Sequence, residues 1–270
     1  MKKFVIYKNP YKDKNGTITE RVRTYLKEKG AEVSLFSDYR GEPGEDVMTI
    51  VLGGDGTMLQ AIREPEFMNG PVIGINLGTL GFLTEIETGS IESALDRLLA
   101  DDFTIENRLL LEGSSSGAGS VNALNDVVLS RSGSLRIFSF DIFVNGQPLG
   151  TYLADGMIVS TPTGSTGYNL SAGGPIANPA SELIILTPIC PHSLYSRSII
   201  LSSNDEVRID IPASKEGDIQ EMELSFDGAG KRIVKTGESI TVKRSEAKIK
   251  FAKLGRDSFL QVLNKKMSEK

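Results

Sequence analysis

Gly53-Gly54-Asp55-Gly56-Thr57 sets one carboxylate inside a glycine run, between the apolar stretch Val47 to Leu52 and Met58-Leu59-Gln60-Ala61-Ile62. Strand, glycine turn and helix start, in that order, make a phosphate cradle. Glycines let backbone approach a ligand and offer N–H groups, and a helix N-terminus favours negative charge. The run is not a Walker A loop, which needs Gly-x-x-x-x-Gly-Lys-Ser/Thr. It is not the dinucleotide fingerprint either, because Leu59 stands where the third glycine belongs. An acid beside bound phosphates repels them unless it takes a proton or holds a cation. Phosphoryl transfer uses both, since an Asp can accept the acceptor hydroxyl's proton while Mg²⁺ neutralises the phosphates. The plainer alternative is a tight turn in which Asp55 only caps its helix.

Two further segments carry chemistry. Asn76-Leu77-Gly78-Thr79-Leu80-Gly81-Phe82-Leu83 again follows a strand signal, so both turns are expected on one edge of a parallel sheet, sharing a cleft. Phe82 could stack on a base or simply fill a core. Thr161 to Asn169 and Ser171-Ala172-Gly173-Gly174-Pro175 pack hydroxyls, glycines and Tyr168 into a loop able to hydrogen-bond a base or ribose, or to serve as a polar turn. Ala154-Asp155-Gly156 precedes it, another acid beside glycine.

The elements that must position these residues change character along the chain. Up to about Phe103, strand and helix signals alternate: Phe4 to Tyr7, a Thr17-x-x-Glu20 capping box opening a helix that stops at Gly30, Val33 to Phe36, Val47 to Leu52 and Pro71 to Ile75. Then comes a helix capped by Ser90, with Ile91, Ala94, Leu95, Leu98 and Leu99 on one stripe. That pattern predicts an α/β domain with a parallel sheet, placed at 1–105. From 106 to 252 strand signals dominate: Arg136 to Val144, the type I′ signal Asn145-Gly146 and a return through Tyr152. Met157 to Thr161, Leu183 to Leu186, Val207 to Ile211, Met222 to Phe226, Ile240 to Lys243 and Ile249 to Phe251 follow. They predict a larger all-β, sandwich-like domain. Ser114 to Ser120 reads as a hairpin excursion, and from Arg256 the pattern is helical again.

Taken together, Gly-Gly-Asp-Gly-Thr, Asn-x-Gly-x-Leu-Gly-Phe-Leu, Asn125-Asp126, Ala-Asp-Gly, Thr-Pro-Thr-Gly-Ser-Thr-Gly-Tyr and Ser-Ala-Gly-Gly-Pro resemble the bacterial NAD kinase family, in family order from about residue 50 to 230. Pro188-Ile189-Cys190-Pro191-His192-Ser193-Leu194 and Arg197 are similar to a family segment too. The resemblance implies phosphorylation of the adenosine-ribose 2′-hydroxyl of NAD by ATP, or by polyphosphate, with Mg²⁺ or another divalent cation and with Asp55 as general base. It implies nucleotide contacts from Gly54, Gly56, Thr57, Phe82, Asn125, Asp126, Asp155, Thr166, Gly167, Tyr168, Ser171 and Asp227. Here Asp126 stands where Glu is common, Gly167 where Ala is common, and Ala229 where the family has Gln after Asp-Gly. It also implies that segment 253–270 returns to the first domain as a helix, and a homodimer or homotetramer.

Bulk properties fit. The 270 residues are 39% hydrophobic and 24% charged, with net charge −5, which argues against a nucleic-acid or membrane-surface partner. One cysteine, Cys190, and one histidine, His192, leave no intrachain disulfide and almost nothing for a Ser-His-Asp triad or a His-based metal site. Lys243-Arg244 and Lys265-Lys266 read as solvated surface. With neither a signal-peptide-length nor a membrane-length apolar run, the expected location is cytoplasmic. A lipid kinase sharing the first turn, and a non-catalytic NAD- or NADP-binding regulator, are the rival readings.

Overall fold

The computed structural model describes residues 1–40, 44, 46–64, 69–79, 81–132, 137–192, 197–213, 219–255 and 258–268. Leu80, Arg136, Ser193, Leu194 and Arg256 of the motifs and elements named above lie outside these. The chain divides into two compact units, Met1–Asn107 with Ile249–Lys270, and Arg108–Lys248.

In the first unit β1 (Lys3–Lys8), α1 (Thr17–Glu28), β2 (Glu32–Leu35), β3 (Val47–Gly53), α2 (Asp55–Ile62), β4 (Pro71–Asn76), the two-residue β5 (Ile86–Glu87) and α3 (Ile91–Leu99) follow in order. The strands β2, β1, β3 and β4 pair in parallel, in that spatial order. Every residue of β3 is buried, as expected of a strand covered on both faces. The capping box at Thr17 does not form. Gly16 takes the N-cap in the left-handed region, and Asp13 reaches over it to accept from Ile18 N (3.1 Å), Thr19 N (2.9 Å) and Thr19 Oγ1 (2.5 Å). A carboxylate five residues upstream meets the free N–H groups better than a hydroxyl inside the helix can. Ser90 holds the N-cap of α3 without a side-chain cap bond, and its hydroxyl donates to Glu87 O.

The second unit is β-rich. After β6 (Thr104–Ser115), which begins in the first unit, come β7 (Val121–Ala123), β8 (Asp126–Arg131), β9 (Phe138–Val144), β10 (Gln147–Ala154), β11 (Gly156–Ser160), the short α4 (Tyr168–Ser171), β12 (Leu183–Ile189), β13 (Ile199–Ser202), β14 (Val207–Asp210), β15 (Glu221–Phe226), β16 (Ala229–Lys235) and β17 (Ser239–Lys253). β6 and β7 pair as the hairpin around Ser114 to Ser120. Asn145 and Gly146 both have positive φ, the type I′ geometry that joins β9 to β10. One sheet runs β13-β12-β11-β8-β15-β16, and another set runs β10-β9-β14-β17. Side chains from both, among them Leu129, Val159, Leu186 and Leu224 from the first and Phe140, Ile209 and Val242 from the second, meet in one core.

The segments around Ile240 and Ile249 are not two strands but one, the 15-residue β17. Its last residues belong to the first unit, where Lys250 and Phe251 pair in parallel with Pro71 and Val72, and Ala252 and Leu254 enter the core. The final helix, α5 (Phe259–Ser268), has no buried residue.

Candidate functional site

Two clusters carry the polar groups, one in each unit. In the first, β3 and β4 end side by side, Gly53 opposite Asn76, so the two turns leave the same sheet edge. Asp55 is the first residue of α2 and does not cap it. Its Oδ2 accepts from Phe82 N (2.8 Å) and its Oδ1 from Leu83 N (3.0 Å), tying the two turns together. The fit is close, since a Cβ at Gly81 would lie 2.0 Å from Asp55 Oδ1, and one at Gly53 would strike the Thr57 side chain. Gly81 and Gly53 are therefore required by close approach. Asp55 lies on the wall of a cavity of about 300 Å³ lined also by Gly54, Gly56, Thr57 and Gln60. Phe82 is half-buried, its ring against Phe259 (centroids 6.0 Å apart) with the Lys266 ammonium 5.1 Å from its centre.

In the second unit the cluster is built on β8 and β11, which are antiparallel neighbours. Asp126 opposes Ser160, while Asp155 precedes Gly156, which opposes Ser130. The two acids thus stand near opposite ends of one strand pair, roughly 16 Å apart along it at ~3.3 Å per residue. Asp155 pairs with Arg131 (3.4 Å). Asp227, in the β15–β16 turn, accepts from Leu124 N (2.9 Å), Asn125 N (2.6 Å) and Asp126 N (3.1 Å), so its carboxylate holds the Asn125-Asp126 turn in place. Burial, and then repulsion from Asp227, pushes the Asp126 carboxyl up to about 7. The side-chain oxygen of Asn125 is buried without a hydrogen-bond partner among the described residues. A lone buried acceptor costs roughly 1–3 kcal/mol, which a donor on a ligand would recover.

The loop after β11 sorts its hydroxyls into two sets. Thr161 Oγ1 donates to Leu124 O (2.5 Å) and Ser165 Oγ to Pro162 O (2.6 Å). Fully buried Asn169 donates to Ser165 O and Pro175 O and accepts from Thr187 Oγ1. These groups stiffen the loop. Thr166 and Gly167 are left half-buried, and Tyr168 and Ser171 exposed. Burial first, then the nearby Cys190, Asp126 and Asp155, raises the Tyr168 hydroxyl above its ordinary value.

Residues 42–103 match the family described as ATP-NAD kinase N-terminal domain, and residues 124–254 that described as ATP-NAD kinase C-terminal domain. An NAD kinase of Lachnoclostridium phytofermentans is 42% identical over 285 residues, covering all of both chains. One of Lachnospira eligens is 44% identical over 293 residues, covering 99% of this chain and all of the relative. The chain belongs to the NAD kinase family. Among solved structures, yeast NADH kinase complexed with NADH superposes with a TM-score of 0.85 at 26% identity, covering 100% of this chain and 88% of the other. An NAD kinase from Archaeoglobus fulgidus in complex with ATP gives 0.76 at 27%, covering 97% and 99%.

The activity of this NAD kinase is phosphate transfer to NAD. Its first-unit cavity also contains Thr79 of the second motif and three residues outside the motifs, Asn9, Lys12 and Lys266. Lys266, expected as solvated surface, lines the cavity instead. The signal for Lys12 was present, since Asn9-Pro10-Tyr11-Lys12-Asp13 is another strand-turn-helix junction, at the end of the neighbouring β1.

Proposed function

We propose that this NAD kinase phosphorylates the 2′-hydroxyl of the adenosine ribose of NAD, with ATP as donor and Asp55 as general base. The observation that carries the reading is the state of Asp55. Its carboxylate sits on a cavity wall among glycine-turn N–H groups, and each oxygen keeps a lone pair after accepting one backbone N–H. Two fixed donors orient it, and orientation is what a base needs at the moment the hydroxyl attacks phosphorus. ATP as donor is supported by the ATP-bound Archaeoglobus relative, and the dinucleotide as acceptor by the NADH-bound yeast one. In the second unit Asn125, Asp126, Thr166, Tyr168 and Ser171 present the polar groups that would hold the nucleotide, with Asp227 positioning the first two.

Mg²⁺ takes one or two carboxylates plus phosphate oxygens rather than an all-protein cage. Asp55 is the one carboxylate on this cavity wall among the described residues, so it would hold the ion. When bound, the ion neutralises phosphate charge.

The test is NADP formation from NAD, ATP and Mg²⁺, followed with Asp55→Asn. Because Asn presents an NH₂ to one of two backbone donors, the variant also loses a hydrogen bond, so its melting temperature and NAD affinity are measured beside kcat. Loss of NADP formation while NAD still binds supports the assignment. A variant near the wild-type rate removes it.

A further inference from the structure

Two lysines on the cavity wall have no anionic partner among the described residues. Lys12 forms no ion pair or side-chain hydrogen bond among the described residues, and Lys266 is engaged only with the Phe82 ring. Lys12 is exposed and Lys266 half-buried, on a protein of net charge −5. Lys12 is nevertheless placed with care. Asn9 accepts from Tyr11 N (2.9 Å) and Lys12 N (3.3 Å) while its Nδ2 donates to Thr57 Oγ1 (3.0 Å), and Asp13 is locked to the start of α1. The turn so formed lays the Lys12 ammonium over both glycine turns. A Cβ at Gly54 would lie 2.9 Å from Lys12 Nζ and one at Gly78 3.0 Å from it. Lys266 reaches the same cavity from the last turn of α5, a helix held by Phe259 against Phe82. Asp55, the only acid on the wall among the described residues, is held by two backbone N–H groups and forms no ion pair with either lysine.

We infer that Lys12 and Lys266 form a two-cation seat for the phosphate chain of the phosphoryl donor, adding residues from the β1–α1 turn and the C-terminal helix to the glycine cradle. The inference rests on the kinase reaction proposed for this cavity. Ammonium groups bind phosphate as point charges and do not read a base. The seat therefore recognises a chain of phosphates, whether the tail of ATP or free inorganic polyphosphate.

The experiment uses the full chain with Lys12→Ala, Lys266→Ala and Lys12→Arg. Inorganic tripolyphosphate binding is measured by titration calorimetry, and KM for ATP and for NAD in steady state. Each alanine variant should weaken tripolyphosphate binding and raise the KM for ATP by roughly ten-fold, the scale of one charge-assisted contact. In Lys12→Ala the KM for NAD and the melting temperature should stay put, because Lys12 makes no ion pair or side-chain hydrogen bond among the described residues, and Lys12→Arg should recover most of the loss. Unchanged tripolyphosphate affinity in both alanine variants would overturn the seat. So would wild-type protein that binds ATP but not tripolyphosphate, which would place recognition on the nucleoside. A wild type that makes no NADP yet loses tripolyphosphate binding on Lys12→Ala would sink the kinase reading and keep the anion seat.

Discussion

Asp55 and Asp126 illustrate two ways of tuning a carboxylate. Asp55 meets backbone N–H groups, which fix its direction, whereas Asp126 meets burial and a second acid, which disfavour its charge. The raised Asp126 group binds a proton more tightly folded than unfolded. It therefore contributes stability that is complete below the ordinary value of 3.8 and is lost as pH rises to about 7. The slope from this one group is at most about 1.4 kcal/mol per pH unit. Asp126→Asn mimics the neutral acid, so its stability relative to wild type should climb between these limits and then level off. Urea unfolding at several pH values reads this, and a flat difference would mean that Asp126 is charged throughout. At Gly81 the expected effect is steric. Gly81→Ala must push the Asp55 carboxylate aside, and a displacement of about 1 Å at a reacting group costs about 10²-fold in kcat. Wild-type turnover in that variant would show that the position of the carboxylate is unimportant.

At the scale of elements, the turns matter more than the strands that end in them. Asp13 joins the cap of α1 to the turn bearing Lys12. Burial alone would raise its carboxyl, but the hydrogen bonds from Thr19 and Ile18 and the Lys8 charge win and hold it low. Its contribution is thus present above the ordinary value and lost as pH falls through the lowered one. Asp13→Ala should cost about 1 kcal/mol at neutral pH, the usual value of a cap, and should also raise the KM for ATP by loosening the turn. Normal stability and KM together would rule out that coupling. Elements were legible where one residue type has one use. The wholly buried β3, the stripe of α3 and Asn145-Gly146 fall where periodicity and turn chemistry put them. The edge strand β16, with Lys231, Arg232 and Lys235 and a single buried residue, Val234, carries no alternation to find. Nor does sequence order show that a carboxylate at 13 would outcompete a hydroxyl at 17, or that the Asp55 oxygens would meet N–H groups 27 and 28 residues away.

For the molecule as a whole, the first unit is discontinuous in sequence. Ile249, Phe251, Ala252 and Leu254 are buried in it, and Lys253 pairs with Glu85. Burial of each large side chain is worth ~1.5–3 kcal/mol, and their sum is comparable with the ~5–15 kcal/mol that a domain has in total. A chain ending at Lys248 should fail to fold its first unit. One ending at Gly255 should fold and lose the Lys266 contribution to donor binding together with the Phe259 contact on Phe82. Circular dichroism melts of the two truncations distinguish these outcomes, and a cooperative melt at the wild-type temperature for the shorter chain would contradict the account. What the motifs conveyed well was the family and the two glycine turns that leave one sheet edge after β3 and β4. What they missed were the lysines, because a cation on a polar turn looks like solvated surface until the glycines beneath it are seen. The most direct test of the central claim remains the rate of NADP formation by Asp55→Asn at saturating NAD and ATP, with both affinities measured on the same protein. A general base predicts a fall of roughly 10²–10⁴-fold in kcat while both ligands bind within a few-fold of wild type. A kcat within ten-fold of wild type, or a loss matched by lost binding, would contradict it.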